Sequence, residues 1–348
     1  MRCLALADAL KMYGATCRFI CREHSGHLLD LILRRGHEAI RLPTSNPGVW
    51  SEEGGEDKVT HAAWLGAHWR DDAAQTIASM HGELTNWLVV DHYAINSSWE
   101  NALRPYCGRL MVIDDLADRK HACDLLLDQN WFGGETKLRY SKLVYERCIC
   151  LLGPKYALLQ PEYAELRALM PPRDGIVRRV LVFLGGSDPA NQTKKVLDAL
   201  MEPSFKHLAV DVVLGANYPD PIGISVQAAA RPATLVHHEV PSLSGLMARA
   251  DLMIGAGGST TWERMCLGLP AIVIGIAANQ TAMNIALMKE SYINFMGDMN
   301  EVSCELLVDA VQRCLTSPNA LKAQSSLGQN LVPGVGAALV REFMYSEF

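Results

Sequence analysis

Ile254-Gly255-Ala256-Gly257-Gly258-Ser259-Thr260-Thr261-Trp262-Glu263 is the stretch that decides the fold. An apolar run, Asp251–Ile254, leads into a glycine-rich turn, and the turn leads into residues with helical spacing. Strand, glycine turn and helix form the unit from which nucleotide-binding α/β sheets are built. The chemistry follows from that order. Glycines let the backbone approach phosphate oxygens, and the first turn of a helix offers unpaired N–H groups and the positive end of its dipole. Ser259, Thr260 and Thr261 add hydroxyls, and Glu263 falls where a carboxylate can accept from both hydroxyls of a ribose. A plainer reading stays open, with Ser259 as a helix cap and Glu263 as a favourable first-turn charge. Three glycines are nevertheless more than a cap requires.

A second loop of the same kind, Gly185-Gly186-Ser187-Asp188-Pro189, follows the apolar run Leu181–Leu184. A third candidate segment, Gly275-Ile276-Ala277-Ala278-Asn279-Gln280, follows Ala271–Ile274. Ligands of open α/β sheets bind at the carboxyl ends of the strands, so the three segments are expected on one rim. Asn279 and Gln280 carry donors and acceptors suited to the hydroxyls or acetamido groups of a sugar. Alone, each would be an ordinary loop amide.

Outward from this region, short β-branched runs alternate with helical stretches along the whole chain, the pattern of parallel sheets covered by helices. Strands are expected at Thr16–Arg22, Glu38–Leu42, Trp87–Asp91, Leu110–Asp114, Asp124–Leu127 and Cys148–Leu152, with helices at Gly26–Gly36 and Asp71–Glu83. The stretch Arg167–Asp174, with Pro171-Pro172, reads as a linker. A second series of strands follows at Arg179–Leu184, Val210–Leu214, Thr234–Val236, Leu252–Ile254 and Ala271–Ile274. The expected organisation is α/β: two Rossmann-like doubly wound domains, residues 1–165 and 176–330, facing across a cleft. A final helix is expected within 331–348, packing back on the first domain. Pro43–Lys58 reads as an exposed insertion. Met1–Gly14 reads as a helix, so the first domain begins without the strand that should open such a fold.

Composition limits the function. The 348 residues are 49% hydrophobic and 20% charged, which is globular, and the net charge of −6 argues against a nucleic-acid partner. A polyanionic ligand must then be held by local donors. No apolar run approaches the roughly 18–20 residues that span a bilayer. No signal peptide is readable, since Arg2 and Asp8 interrupt the first apolar stretch. The ten cysteines show no CxxC spacing and read as reduced core thiols of a cytoplasmic protein. The histidines lack the spacing of a metal site, and no metal or cofactor is expected. No oligomeric state is assigned. In the first domain, Asp91-His92-Tyr93 and Asp114-Asp115 each end a buried strand. Acid–base work and simple loop capping are both open there.

The Gly255–Glu263 loop, Cys266-Leu267-Gly268-Leu269-Pro270 and Asn279-Gln280 resemble the nucleotide-binding half of two-domain glycosyltransferases of the MurG type. A fuller set is closer still to the UDP-2,4-diacetamido-2,4,6-trideoxy-β-L-altropyranose hydrolases of pseudaminic acid biosynthesis. It adds Met1-Arg2-Cys3-Leu4-Ala5-Leu6-Ala7, Asp91-His92-Tyr93, Asp114-Asp115, Gly153-Pro154-Lys155-Tyr156-Ala157-Leu158-Leu159 and Gly185-Gly186-Ser187-Asp188. The resemblance runs from Met1 to about Met288. It implies hydrolysis of a UDP-sugar at the anomeric carbon, with Glu263 on the ribose and Gly257, Gly258 and Ser259 at the diphosphate. Gly185, Gly186 and Ser187 lie on the same rim. By the same resemblance the backbone near His238 meets the uracil, Asn279 and Gln280 face the sugar, and Tyr93 lies near the reacting carbon. The general base of that family is a His in a glycine-rich loop directly before the segment matched by Met1-Arg2-Cys3. His92 is the one nearby imidazole that could stand in, and slow turnover is expected of the chain as it begins here. A glycosyltransferase using a UDP-sugar donor and a nucleotide-sugar binding protein without turnover are the alternatives. For a lipid acceptor, the nearest approach to an apolar, basic patch is Trp64, His68 and Trp69, beside the acidic Glu52–Asp57.

Overall fold

A computed structural model describes residues 1–44 and 59–346, which divide into two compact units. Unit 1 comprises Met1–Asn130, Gly134–Leu158 and Ala337–Phe348; unit 2 comprises Trp131–Gly133 and Leu159–Gly336. In chain order unit 1 runs α1 (Arg2–Lys11), β1 (Arg18–Arg22), α2 (Leu29–Arg34), β2 (Glu38–Leu42), α3 (Trp69–Ser79), β3 (Thr85–Val90), α4 (Ser97–Leu103), β4 (Cys107–Ile113), β5 (Leu125–Asp128) and β6 (Ile149–Leu152). Unit 2 follows with α5 (Pro161–Leu169), β7 (Arg179–Phe183), α6 (Gln192–Leu200), β8 (Ala209–Leu214), α7 (Pro221–Ala229), β9 (Thr234–His238) and α8 (Ser244–Arg249). It continues through β10 (Leu252–Ala256), α9 (Thr260–Cys266), β11 (Ala271–Gly275), α10 (Ala278–Lys289), β12 (Asn294–Asp298), α11 (Cys304–Thr316) and α12 (Pro318–Leu331). The last helix, α13 (Gly336–Ser346), returns to unit 1.

Unit 2 is one parallel sheet in the order β12-β11-β10-β7-β8-β9. All five residues of β10 and all five of β11 are buried. Continuous burial of this kind belongs to strands covered on both faces, and it explains why these segments read as unbroken apolar runs. Val180, Val182, Val210, Val212, Ile254 and Ile272 form the core with Val196 and Leu200 of α6 and Leu307 and Val311 of α11. The chain lays down β7, β8 and β9 to one side and β10, β11 and β12 to the other. The topological switch therefore falls between β7 and β10.

Unit 1 holds two parallel sheets, β1-β2 and β3-β4-β5-β6. Among the described residues β1 and β3 share no backbone ladder, so the sheet is interrupted between them. The expected opening helix is α1, which buries Leu4, Ala5, Leu6, Ala7, Ala9 and Leu10. Gly14 follows it at φ 86°, a conformation that favours glycine. Val340 and Met344 of α13 join Leu6, Met111 and Leu125 in the core of unit 1.

Several expectations need correcting. The stretch read as a linker begins inside α5, which reaches Leu169 before Pro171-Pro172 stops it. Leu159 is the first residue of the long segment of unit 2, so α5 belongs there although residues 1–165 were expected to form the first domain. Strand β12 went unread because Asn294-Phe295-Met296-Gly297-Asp298 is a mixed, half-exposed edge strand whose register to β11 is irregular. The insertion expected over Pro43–Lys58 lies, after its first two residues, outside the described residues. So does the acidic run Glu52–Asp57.

Candidate functional site

The two glycine-rich loops of unit 2 leave the carboxyl ends of β7 and β10, the neighbouring strands that flank the topological switch. Side by side at such a point is where an open sheet leaves a crevice for a ligand. Gly185 takes φ +100°, a left-handed conformation that a side chain would strain. Gly186 and Ser187 are exposed. Asp188 is not part of the rim chemistry. Its buried carboxylate accepts from the N–H groups of Gln192 and Thr193 and from the Thr193 hydroxyl, at 2.7–2.9 Å, and so opens α6.

The turn after β10 separates the two readings of Ser259. Ser259 precedes α9 with helical backbone angles and makes no side-chain cap bond, so its exposed hydroxyl is not spent on the helix. Gly257 is buried and Gly258 partly so. A Cβ on Gly257 would collide with the Asn284 side-chain amide, and one on Gly258 would lie 3.3 Å from Gln280 Nε2. The backbone of the turn thus runs hard against α10, which only glycine permits.

Asn279 and Gln280 are not loop residues, as the sequence reading had them. They sit in the first turn of α10, whose N-cap Ala277 supplies no capping side chain. Asn279 is exposed, whereas the Gln280 Oε1 atom is buried without a hydrogen-bond partner. Asn284, one turn further on, is 0% exposed, and neither its Nδ2 nor its Oδ1 has a partner. Buried amides are almost always satisfied, and one that is not calls for a ligand or water. Asn284 was missed in the sequence, although its spacing of four from Gln280 puts both on one face of a helix.

Glu263 is partly buried in α9. Burial pushes its pKa from 4.5 up to about 7, against a hydrogen bond from the Tyr163 hydroxyl, with the Glu162 carboxylate nearby raising it further. Tyr163 is a buried residue of α5. Behind the turn, the fully buried Arg264 donates to the Ala256 carbonyl at 3.1 Å and to Thr261 Oγ1 at 3.0 Å. His238, expected near the uracil and not at the diphosphate, lies further along the same sheet. It ends the edge strand β9, three strand spacings or about 14 Å from β10, and lines a shallow 480 Å³ groove with Pro221, Ile222, Ser225, Val226 and Ala229 of α7.

In unit 1, β3 and β4 are neighbours, so Asp91-His92-Tyr93 and Asp114-Asp115 share one rim. Arg2 ties them together: Nη2 lies 2.6 Å from Asp91 Oδ1 and Nη1 lies 2.9 Å from Asp115 Oδ2. The Cys3 thiol donates to Asp91 at 3.0 Å. Burial works against the Asp91 charge, but Arg2 outweighs it and the pKa is lowered. Tyr93 is raised by burial and by its bond to Asp115, so its phenol keeps its proton and can only donate or orient. His92 is lowered by burial and is neutral. Its Nδ1 accepts from the Ala94 N–H at 3.1 Å, which leaves the proton on Nε2. An imidazole in that tautomer presents a donor, not a base, to its surroundings. Asp114 is structural: it is 0% exposed, pairs with Arg119 at 2.9 Å, accepts from Ala117 N–H and takes the Tyr140 hydroxyl. Among the described residues no cluster of His, Cys, Asp and Glu could hold a metal. None of the helices described is long and apolar enough to cross a membrane.

Comparison with known proteins bears on unit 2 first. Residues 180–331 match the glycosyltransferase family 28 C-terminal domain. The chain is 29% identical over 185 residues to the spore coat polysaccharide biosynthesis protein SpsG of Bacillus subtilis, covering 53% of this chain and 54% of that protein. The chain thus spans about half the length of that curated relative. Over nearly its whole length it shares a fold with MurG of Acinetobacter baumannii, at TM-score 0.64 and 12% identity, covering 99% of this chain and 94% of that one. UGT89C1 of Arabidopsis thaliana complexed with UDP gives TM-score 0.66 at 12% identity, covering 98% and 95%. The fold is the two-domain, Rossmann-like GT-B fold of glycosyltransferases.

Proposed function

We propose that this protein is an enzyme that cleaves a UDP-sugar at the anomeric carbon, releasing UDP, with water as the acceptor. The substrate class is a UDP-linked 2,4-diacetamido-2,4,6-trideoxyhexose, following the family resemblance of the sequence. One observation carries the reading. The fully buried Asn284 amide, with neither end partnered, and the buried, unpartnered Oε1 of Gln280 lie beside a glycine-rich turn at the switch point of the sheet. That turn lies inside the segment that matches the glycosyltransferase family 28 C-terminal domain.

In this account the N–H groups of Gly257, Gly258 and Ser259 receive the diphosphate, and the Ser259 hydroxyl, free of capping duty, adds a donor. Fixed dipoles aimed at a leaving diphosphate give such a site most of its rate. Glu263, when ionised, accepts from the ribose hydroxyls. Asn279, Gln280 and Asn284 bond the sugar and its acetamido groups. Water forms the new C–O bond as the bond to the β-phosphate oxygen breaks, and UDP leaves with the electron pair. The proton of the water passes to bulk solvent, with no side chain of the chain assigned as base. His92, with Nε2 protonated, is not assigned that role, and Tyr93 serves only to orient.

The match to a glycosyltransferase domain favours a second reading, in which a hydroxyl acceptor replaces water. A single-turnover experiment separates them. Excess protein is mixed with the UDP-diacetamido-trideoxyhexose without acceptor, and UDP and free sugar are followed by chromatography. Hydrolysis predicts both products in equal amounts, at whatever rate. UDP that appears only when a hydroxyl acceptor is added establishes the transferase. Failure to bind UDP at all contradicts both.

A further inference from the structure

Arg264 stands out among the buried cations. It is 0% exposed, yet its acceptors are two neutral groups, the Ala256 carbonyl and the Thr261 hydroxyl, and its Nε has no partner. Other buried arginines are compensated. Arg22 pairs with Asp72 at 2.5 Å, and Arg119 pairs with Asp114 and Asp118 at 2.9 and 2.8 Å. Arg231 has no carboxylate but gives its protons to four carbonyls and a hydroxyl. Among the described residues, Arg264 has no ion pair within 4 Å. Burial accordingly lowers its pKa to about 9, with Glu263 the one carboxylate acting to raise it.

Its position gives the uncompensated charge a use. Ala256 closes β10 and Thr261 lies in the first turn of α9, so the guanidinium spans both ends of the turn Gly257–Thr260 from the protein side. Both acceptors point their negative ends at Arg264, which takes them away from any anion over the turn. A second observation points to a ligand there: the unpartnered, fully buried Asn284 amide lies against Gly257. A buried cation without a partner is costly, and an anion held by the turn in front of it relieves that cost.

We infer that Arg264 is a buried countercharge that tunes this turn to the negative charge of a nucleoside diphosphate, a positioning residue that never touches the ligand. The inference rests on the UDP reading above and adds a discrimination by charge. Affinity for the diphosphate depends on Arg264, while affinity for the nucleoside does not.

The test uses the whole chain, with calorimetric titration of uridine, UMP and UDP into wild type, Arg264→Met and Arg264→Lys, and a melting curve for each protein. For Arg264→Met, UDP is expected to weaken about 10-fold or more, UMP by less, and uridine by under about twofold. Arg264→Lys is expected to fall between wild type and Arg264→Met for UDP, because a buried ammonium holds its proton less firmly than a guanidinium. Equal losses for UDP and uridine in Arg264→Met would make Arg264 mere support for the turn, and no loss would make it irrelevant; either overturns the inference. If Arg264→Met does not fold, Arg264→Gln, which keeps hydrogen-bond donors and loses the charge, decides: a collapsed ratio of UDP to uridine affinity supports the countercharge, and a wild-type ratio refutes it. Wild type that fails to bind UDP refutes the underlying UDP reading instead, which keeps the two failures apart.

Discussion

Replacing Glu263 by Gln should make the ligand-free protein more stable and the UDP complex weaker. The Glu263 pKa is raised by burial from 4.5 to about 7. Between those values the folded protein holds a proton that the unfolded chain releases, so the contribution of Glu263 to stability falls as pH rises from 4.5 through 7. At pH 8 the ionised carboxylate costs about 3 kcal/mol relative to a neutral side chain. Glu263→Gln removes that cost. A carboxylate that accepts from two ribose hydroxyls must be ionised, however, so binding depends on the same proton in the opposite sense. The ionised fraction grows from about 0.1 at pH 6 to about 0.9 at pH 8, a roughly tenfold gain in affinity. UDP has a phosphate that titrates near pH ~6, so wild type alone cannot be read. The ratio of wild-type to Glu263→Gln affinity cancels that term. Calorimetry at pH 6, 7 and 8 should find this ratio rising about tenfold, and melting at pH 8 should find the variant the more stable. A flat ratio together with a less stable variant would refute the reasoning and reduce Glu263 to a helix-end charge.

Three further outcomes are expected. Gly257→Ala drives a Cβ into the Asn284 amide and should cost about 1–3 kcal/mol of stability, with at least a tenfold loss of UDP affinity; unchanged affinity by titration would remove the turn from the site. Asn284→Ala deletes a buried amide that has no partner, so the ligand-free melting temperature should not fall while UDP-sugar affinity drops about tenfold, the scale of a lost hydrogen bond; a lower melting temperature with unchanged affinity would make Asn284 structural. In unit 1, burial works to lower the His121 pKa, but the Glu100 carboxylate hydrogen-bonded at 2.6 Å and the Asp114 carboxylate 3.8 Å away outweigh it and raise it to about 9. Its stabilisation is complete below about pH 6.5 and is lost as pH rises through 9, so His121→Gln should cost about 3 kcal/mol at pH 6 and progressively less in denaturant titrations at pH 8 and above.

The parts of this architecture that were legible in sequence are those with local causes. The strand, turn and helix around Gly255–Glu263 announce themselves because fully buried parallel strands are continuous apolar runs and because only glycine tolerates the turn. Elements without such causes were not readable. Strand β12 has no apolar run, and the double proline after α5 made a helix look like a linker. Asn279 and Gln280 read as loop residues because Ala277 gives no capping signal for α10. In the candidate site the glycine-rich turn and Glu263 were legible by chemistry. The isolation of Arg264 was not, since it depends on which carbonyl the guanidinium meets across the turn. The tautomer of His92 depends likewise on one backbone N–H, that of Ala94.

Hydrogen–deuterium exchange on the whole chain, with and without saturating UDP, tests the central claim most directly. The account predicts slowed exchange in two segments of unit 2, residues 255–263 and 278–284, where the glycine-rich turn meets α10. Protection that bypasses both segments, or UDP that leaves exchange unchanged throughout, would contradict it.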